Sequence, residues 1–291
     1  MSWTFELVAG PFEFTEGPVW DGEAVLFSDI PPGNIVRYVP ETGESTVFRT
    51  EEGKPNGLKL SAEGDLYGCE MAGRRMARYD EDGTTTTIVD EYDGKRLHKP
   101  NDLCFDDQGR MWFSDPDYDV YWVDDAEREL DHDSIYRVDL SSEPWTAERM
   151  TFDTQRPNGL LISPDQSTLY VAEMQYGDGN PRELRSYPIL DDGSLGEYEV
   201  LHNFYPHRGI DGMCLDEDGN IVACAGWPDS GPGPMIYVIA PDGRVLETHP
   251  FPGGSPTNCT FGEDLSTLYV TEGDGGLYRA ETDRVGYLGA P

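Results

Sequence analysis

Short apolar runs separated by polar turns recur along the chain, and the clearest copy is RPNGLLISPDQSTLYVAEM, residues 156–174. It contains a run at residues 160–162, a turn at residues 163–166 and a second run at residues 169–172. Such short runs, rich in aromatic and β-branched residues and bounded by turn formers, predict a β-hairpin. Similar segments begin at residues 16, 56, 101, 158, 211 and 258. The pattern therefore predicts six copies of one structural unit.

Most copies continue with a third apolar run, and some have a fourth after a DG-type turn. The third runs are IVRY (35–38), MARY (76–79), SIYRV (134–138), LRSY (184–187), MIYVI (235–239) and GLYR (276–279). The fourth runs include TTTTIV (84–89) and VLET (245–248). Four strands per repeat predict an all-β fold, a six-bladed β-propeller with four-stranded antiparallel blades. A helical fold is disfavoured because no long 3.6-residue apolar period survives between the Gly and Pro residues.

The repeats follow one another without a linker, which predicts a single domain over residues 1–291. The last copy lacks a clear fourth strand before the C-terminus. The N-terminal run TFELV (4–8) precedes the first copy and is available to complete it. We expect this strand to close the ring and to cover an edge that would otherwise be exposed.

The net charge is −35, from 56 acidic and 21 basic residues, which excludes nucleic acid and anionic membranes as expected partners. The acidic residues are spread over every loop. A halophile's cytosolic protein would carry such surface carboxylates, because high salt screens their repulsion. The alternative is an ordinary acidic cytosolic protein.

Neither a long apolar span nor an N-terminal signal sequence is evident, so we expect a cytoplasmic protein. The five cysteines at 69, 104, 214, 224 and 259 lie mostly in apolar runs and have no CxxC spacing. They are expected to be buried free thiols in a reducing compartment. Nothing in the pattern indicates an oligomer, and a monomer is expected.

Polar residues occupy the same phase at the start of each repeat: Glu16, Asn56, Asn101, Asn158, Asp211 and Asn258. The innermost strands of a propeller line its channel, so these side chains are predicted to form a ring. Asn or Asp before Gly is also ordinary turn chemistry, but that reading does not explain Glu16. Converging oxygens without Cys or His suit a hard cation such as Ca²⁺, with Mg²⁺ or Mn²⁺ as alternatives. Such a cation can polarise an ester carbonyl and activate a water.

A second set of acidic residues ends the second run of most copies: Asp29, Glu70, Asp115, Glu173 and Glu272. Strand ends in an acidic protein are often simply solvated. Asp115 stands out because Pro116 fixes the following turn and Tyr118 is placed to wall a pocket.

With these motifs in order, the chain resembles the regucalcin (senescence marker protein)/gluconolactonase family of six-bladed propellers. The motifs are EGPVW at 16–20, KPND at 99–102, FSDP at 113–116, RPNGL at 156–160, GIDGM at 209–213 and PTNCTFG at 256–262. Each motif alone is a weak signal, but all of them in the right blades are a strong one.

The resemblance implies one divalent cation at Glu16, Asn158 and Asp211, with Ca²⁺ expected and Mg²⁺, Mn²⁺, Zn²⁺ or Fe²⁺ possible. It also implies substrate contacts from Asn101, from Lys99 and from Asp115. Animal members have Arg where this chain has Lys99, so a basic donor is kept but bidentate binding is lost. Many members hydrolyse aldonolactones, and this chain looks like a sugar-lactone lactonase.

On this interpretation Asp211 orients or deprotonates the attacking water, and Asp115 or a metal-bound hydroxide is the alternative base. An acyl-enzyme route is disfavoured because the chain has no GxSxG motif. Two other functions stay open: a metal-dependent hydrolase of other esters or phosphotriesters, and a non-catalytic Ca²⁺-binding propeller.

Overall fold

A computed structural model describes residues 2–124 and 127–289 of the chain. These residues contain strands and turns only, so no helix among them is long and apolar enough to cross a membrane. The first strand is β1 (Glu6–Ala9). Blade 1 consists of β2 (Thr15–Trp20), β3 (Val25–Asp29), β4 (Asn34–Val39) and β5 (Glu44–Thr50). Blade 2 consists of β6 (Pro55–Leu60), β7 (Leu66–Glu70), β8 (Arg75–Tyr79) and β9 (Thr85–Val89).

A short hairpin of β10 (Glu91–Tyr92) and β11 (Lys95–Arg96) leads to blade 3. Blade 3 consists of β12 (Leu103–Phe105), β13 (Met111–Asp115), β14 (Ser134–Val138) and β15 (Ala147–Arg149). Blade 4 consists of β16 (Pro157–Ile162), β17 (Thr168–Met174), β18 (Arg182–Pro188) and β19 (Glu199–Asn203). Blade 5 consists of β20 (Ile210–Asp216), β21 (Ile221–Trp227), β22 (Ser230–Ile239) and β23 (Val245–Pro250). Blade 6 contains β24 (Pro256–Gly262), β25 (Thr267–Glu272) and β26 (Gly276–Glu281), and the chain then adds β27 (Gly286–Tyr287).

The six blades close into a ring around a central channel. The inner strands β2, β6, β12, β16, β20 and β24 pack side by side in this order, and β24 lies against β2. Within each blade the neighbouring strands are antiparallel, and in blades 1 to 5 the four strands follow one another in sequence from the channel outwards. The predicted six-bladed propeller with four-stranded antiparallel blades is therefore confirmed.

The hydrophobic core lies between adjacent blades, because each blade has two faces and alternate side chains point to opposite faces. Between blades 1 and 2, Leu26 and Ile35 pack against Leu58 and Leu66. Between blades 3 and 4, a comparable cluster includes Trp112 and Leu160. The core thus forms radial layers and leaves the inner strands free to present polar residues to the channel.

The N-terminal strand closes the ring as predicted. Strand β1 pairs antiparallel with β26, with Leu7 opposite Tyr278, and becomes the outermost strand of blade 6. Just before it, Trp3 stacks on the His249 ring with 3.9 Å between centroids, and Phe5 packs edge-on against Phe251. The sequence did not predict a second closure: β27 pairs with the C-terminal end of β20 in blade 5.

Candidate active site

The six polar residues predicted to form a ring do converge at one end of the channel. Five of them lie near the start of an inner strand, and Asn101 lies just before β12. All six are buried, with exposed fractions between 3 and 8 %. They are Glu16, Asn56, Asn101, Asn158, Asp211 and Asn258.

Glycines follow four of these ring residues because neighbouring blades approach closely there. A Cβ atom at Gly159 would lie 2.5 Å from the Asp211 carbonyl oxygen, and one at Gly212 would lie 2.1 Å from Cγ of Asn258. A side chain at either position would displace the next ring residue. Packing around the channel therefore requires glycine after Asn158 and Asp211, whether or not these pairs also favour a turn. Blade 3 has Asp102 at this position instead.

A chain of hydrogen bonds links the ring across three blades. The Asn158 amide Nδ2 donates to the Tyr118 hydroxyl and to Asp211 Oδ1, each at 2.7 Å. The other oxygen of Asp211, Oδ2, accepts from the Arg208 guanidinium. Burial raises the pKa of the Asp211 carboxyl, and Arg208 and Asn158 oppose that rise. Asp211 is therefore fixed on both oxygens.

Three carboxylates share this part of the channel. Burial raises the pKa of Glu16 well above its usual value, and the nearby Asp211 and Asp102 raise it further. Burial also raises the pKa of Asp102 to about 6, and Lys59 opposes this shift. Asn258 Nδ2 donates to Asp102 Oδ2 at 3.3 Å. Like charges buried together are costly unless a cation is present.

The residues of the ring fit a hard divalent cation. When Glu16, Asp102 and Asp211 are all ionised, their negative charge exceeds the positive charge of Arg208 and Lys59, and a divalent ion would offset the excess. The side-chain oxygen of Asn56 is buried and has no hydrogen-bond partner among the described residues. Residues 2–124 and 127–289 contain no metal-binding group of three or more His, Cys, Asp or Glu side chains. The candidate ligands are instead a mixture of carboxylate and amide oxygens, which suits Ca²⁺ or Mg²⁺.

Residues 116–124, which follow β13, cover this end of the channel and are called the cover below. Tyr118 packs with Ile30 and Met71 of blades 1 and 2, and the cluster continues with Trp122, whose ring lies 5.0 Å from that of Phe14. Arg156 stacks over the Tyr118 ring at 4.6 Å. The cover explains why the ring residues are so little exposed.

Lys99 holds this cover in place. Its Nζ donates to Asp117 Oδ1 at 3.0 Å and to the Tyr118 carbonyl oxygen. A cavity of about 240 Å³ lies beside it, lined by Arg74, His98 and Arg128 among others. Lys99 is therefore next to the ring but already paired, and its predicted contact with substrate stays a prediction.

Four of the five residues of the second acidic set clamp the loops that lead into the inner strands, whereas Glu70 pairs with Arg75 at 2.6 Å. Asp29 accepts the backbone N–H groups of Glu13 and Phe14, and Glu173 accepts those of Gln155 and Arg156. Glu272 accepts the N–H groups of Gly254 and Asp274. Each of these three carboxylates thus fixes the loop that leads to the ring residue of its own blade.

Asp115 belongs to this set. It is fully buried, its Oδ2 accepts the backbone N–H of His98 at 2.9 Å, and burial raises the pKa of its carboxyl to about 7. Through this bond Asp115 positions the loop that carries Lys99 and Asn101. Its predicted direct contact with substrate stays a prediction that this position does not favour.

Sequence reasoning did not assign a role to Arg208 or Asp102, and it named Tyr118 only as a pocket wall. Asp102 could have been found as the one acidic residue at a position that four other repeats fill with Gly. No comparable signal marks Arg208, because it lies in a loop outside the repeated pattern.

A cavity of about 830 Å³ lies at the opposite end of the channel, away from the ring. Its lining includes Lys59, Cys104, Cys214 and Tyr287, which belong to the C-terminal parts of the inner strands and to the C-terminal segment. The buried polar groups converge at the other end, so we place the candidate site there.

Known proteins are similar to this chain in both sequence and fold. Residues 14–274 match the family model described as "SMP-30/Gluconolactonase/LRE-like region". A gluconolactonase from Zymomonas mobilis is 31 % identical over 296 aligned residues, which cover 93 % of this chain and 79 % of that protein. A diisopropyl-fluorophosphatase from Loligo vulgaris is 28 % identical over 286 residues, covering 88 % of this chain and 85 % of that one. The solved structure of a gluconolactonase from Xanthomonas campestris superposes with a TM-score of 0.84 at 30 % identity, covering 96 % of this chain and 89 % of that one.

Proposed function

Because the chain belongs to the SMP-30/gluconolactonase/LRE-like family, we propose that it is a lactonase that requires a divalent metal and opens an aldonolactone to the aldonic acid. The observation that carries this proposal is the buried ring in which Glu16, Asn158 and Asp211 converge beneath Tyr118. A bound divalent cation, Ca²⁺ in the first instance, supplies Lewis acidity that polarises a carbonyl and lowers the pKa of a water.

Glu16, Asn158 and Asp211 would hold the cation. Asp211 has its Oδ1 and Oδ2 fixed by Asn158 and Arg208, so its lone pairs point in defined directions and can orient the attacking water. A carboxylate paired with a guanidinium and a cation is a weak base. Asp211 would therefore act mainly by orienting the water, and a bound cation would make this water acidic enough to pass its proton to solvent.

Substrate would bind on the covered side of the ring. Asn101 lies at the start of blade 3 beside the loop fixed by Asp115, and its amide can both donate to and accept from sugar hydroxyls. Lys99 must exchange its contacts with Asp117 and Tyr118 for a substrate oxygen if it binds sugar directly. The cover over the ring excludes bulk water, which strengthens each of these polar contacts.

Proton release from a panel of pentono- and hexonolactones tests the proposal. The protein is chelated and then given Ca²⁺, Mg²⁺, Mn²⁺, Zn²⁺ or Fe²⁺ separately. Hydrolysis of one lactone should depend on metal and fall by at least about 10²-fold in Asp211→Asn, while Asp218→Asn, an exposed change in the same blade, should keep full activity. Hydrolysis no faster than the spontaneous rate with every metal would refute the proposal.

A second candidate is hydrolysis of phosphotriesters or aryl esters at the same ring. Its support is the similarity to a diisopropyl-fluorophosphatase and the aromatic side chains near the ring, where Tyr176 stacks with Trp227 at 6.4 Å. A dialkyl fluorophosphate and an aryl acetate belong in the same assay. Turnover of either of these with inert lactones would favour this candidate, and tight Ca²⁺ binding without any turnover would favour a binding protein.

A further inference from the structure

Arg208 is a buried guanidinium built into the candidate cation site. It is 6 % exposed and lies in the loop before β20, three residues from Asp211. Its Nη1 donates to the Gly226 carbonyl oxygen at 3.0 Å and to the Pro256 carbonyl oxygen at 3.3 Å, and its Nη2 donates to Asp211 Oδ2. These contacts hold it between blades 5 and 6. Within the described residues, Asp211 is its one ion-pair partner.

The position of this charge is unusual for a cation site. A guanidinium stays protonated at any pH at which proteins fold, so the site always contains one positive charge next to a candidate metal ligand. The three carboxylates Glu16, Asp102 and Asp211 would otherwise present three negative charges. Lys59, the cation that opposes the rise in the pKa of Asp102, lines the cavity at the far end of the channel.

We infer that Arg208 sets the charge selectivity of the cation site, because it repels bound cations in proportion to their charge and so favours divalent over trivalent ions. The inference rests on the proposed function, in which Glu16, Asn158 and Asp211 hold a cation. Coulomb energy is proportional to the charge of the ion. Removal of the guanidinium should therefore strengthen binding of every cation, and more for a trivalent ion than for a divalent one.

A purely structural role predicts the opposite sign. If Arg208 served only to orient Asp211, its loss would disorder that carboxylate and weaken the binding of every cation. It would also leave the carbonyl oxygens of Gly226 and Pro256 without their donor, which costs stability. The direction of the change in affinity and its dependence on ion charge therefore separate the two roles.

The test measures Ca²⁺ binding by calorimetry and Tb³⁺ binding by sensitised luminescence at one fixed KCl concentration. In Arg208→Gln, Ca²⁺ should bind at least about tenfold more tightly than in the wild type, and Tb³⁺ at least about thirtyfold, since the benefit scales with charge. The matched control is Arg284→Gln. Arg284 also pairs with a buried aspartate of β20, Asp216, at 2.6 Å, but at the other end of the strand. This control should change neither affinity by more than about twofold.

Unchanged or weaker binding in Arg208→Gln, or equal gains for both ions, overturns the inference. If this variant does not fold, Arg208→Lys carries the test, because it keeps the charge. The preference for Ca²⁺ over Tb³⁺ should then stay within about threefold of the wild type, and a larger shift overturns the inference. Failure of the wild type to bind either ion contradicts the proposed metal requirement as well, whereas normal wild-type binding limits the failure to Arg208.

Discussion

Asn258 donates its amide Nδ2 to Asp102 Oδ2 at 3.3 Å and so joins blade 6 to blade 3, the blade opposite, across the channel. The two residues are 156 positions apart in the chain. The Asn258 side-chain oxygen accepts the backbone N–H of Cys259 at 2.9 Å, so both ends of the amide are used. Hydrogen bonding from this neutral amide lowers the pKa of both buried carboxyls, Asp102 and Glu16, against the rise caused by burial.

Asn258→Asp should destabilise the metal-free protein by about 2 kcal/mol or more, because it replaces a donor with a further carboxylate in a buried acidic cluster. Urea unfolding in the presence of chelator measures this. Addition of a divalent cation should recover more stability in the variant than in the wild type. The same substitution at the exposed Asn203, whose Nδ2 contacts Glu183 at the surface, is the control and should cost less than about 1 kcal/mol. Equal unfolding midpoints for wild type and Asn258→Asp would contradict the role assigned to the amide.

Tyr118→Phe should lower kcat/KM for the lactone by about fivefold. The substitution removes the hydroxyl that accepts from Asn158 Nδ2 at 2.7 Å and leaves that amide held by Asp211 alone, at a cost of about 1 kcal/mol. Tyr121→Phe, four fifths exposed in the same segment, should have no effect. A wild-type rate in Tyr118→Phe would show that the cover contributes nothing polar to the site.

Asp115 should make the protein less stable as pH rises. Its pKa is raised by burial from 3.8 in the unfolded chain to about 7 in the fold. Between these values the folded state keeps a proton that the unfolded state has lost. The free energy of unfolding therefore falls by up to about 1.4 kcal/mol per pH unit, and the contribution is constant above pH 7.

In Asp115→Asn this dependence should be reduced by about 1 kcal/mol per pH unit between pH 4.5 and 6.5. Urea unfolding across that range measures the slope. Asp107→Asn, an exposed change in the turn between β12 and β13, should leave the wild-type slope unaltered. If Asp115→Asn and wild type have parallel pH profiles, the carboxyl is already ionised in the fold.

Phe5→Ala should destabilise the protein by about 3 kcal/mol, since Phe5 is buried against Phe251 where the N-terminal segment closes blade 6. The matched control is Leu7→Ala in the adjoining strand. Leu7 is 56 % exposed, so its change should stay within about 0.5 kcal/mol. Similar losses in both variants would mean that strand pairing, and not burial of the ring, holds the closure.

The net charge of −35 predicts that stability depends strongly on salt. As the KCl concentration increases, the urea concentration at the unfolding midpoint should rise steeply. Most of the gain should come below 1 M KCl, because at 1 M the Debye length has already fallen to about 3 Å. Equal midpoints in 0.1 M and 2 M KCl would remove the support for a halophilic origin. A gain that starts only above 1 M would indicate preferential exclusion of salt from the surface rather than screening.

The sequence by itself determined the number of blades, the strand order within them and the ring at the start of each inner strand. These features repeat, and a repeat places equivalent residues at one height around the channel whatever the exact contacts are. The same argument placed Glu16, Asn158 and Asp211 in the ring of six, and the resemblance to the family singled out these three as the cation ligands. It also predicted from the run at 4–8 that the N-terminus closes the ring.

Contacts between blades were decided only by the tertiary structure. Arg208 lies in an irregular loop, the Asp102–Asn258 pair crosses the channel, and Tyr118 reaches Asn158 from a segment without repeat character. Asp115 ends its strand in the same phase as the other clamping carboxylates, yet the sequence could not show that it is fully buried. Strand periodicity fixes which face a side chain points to, but its neighbours depend on how the closed ring brings distant loops together.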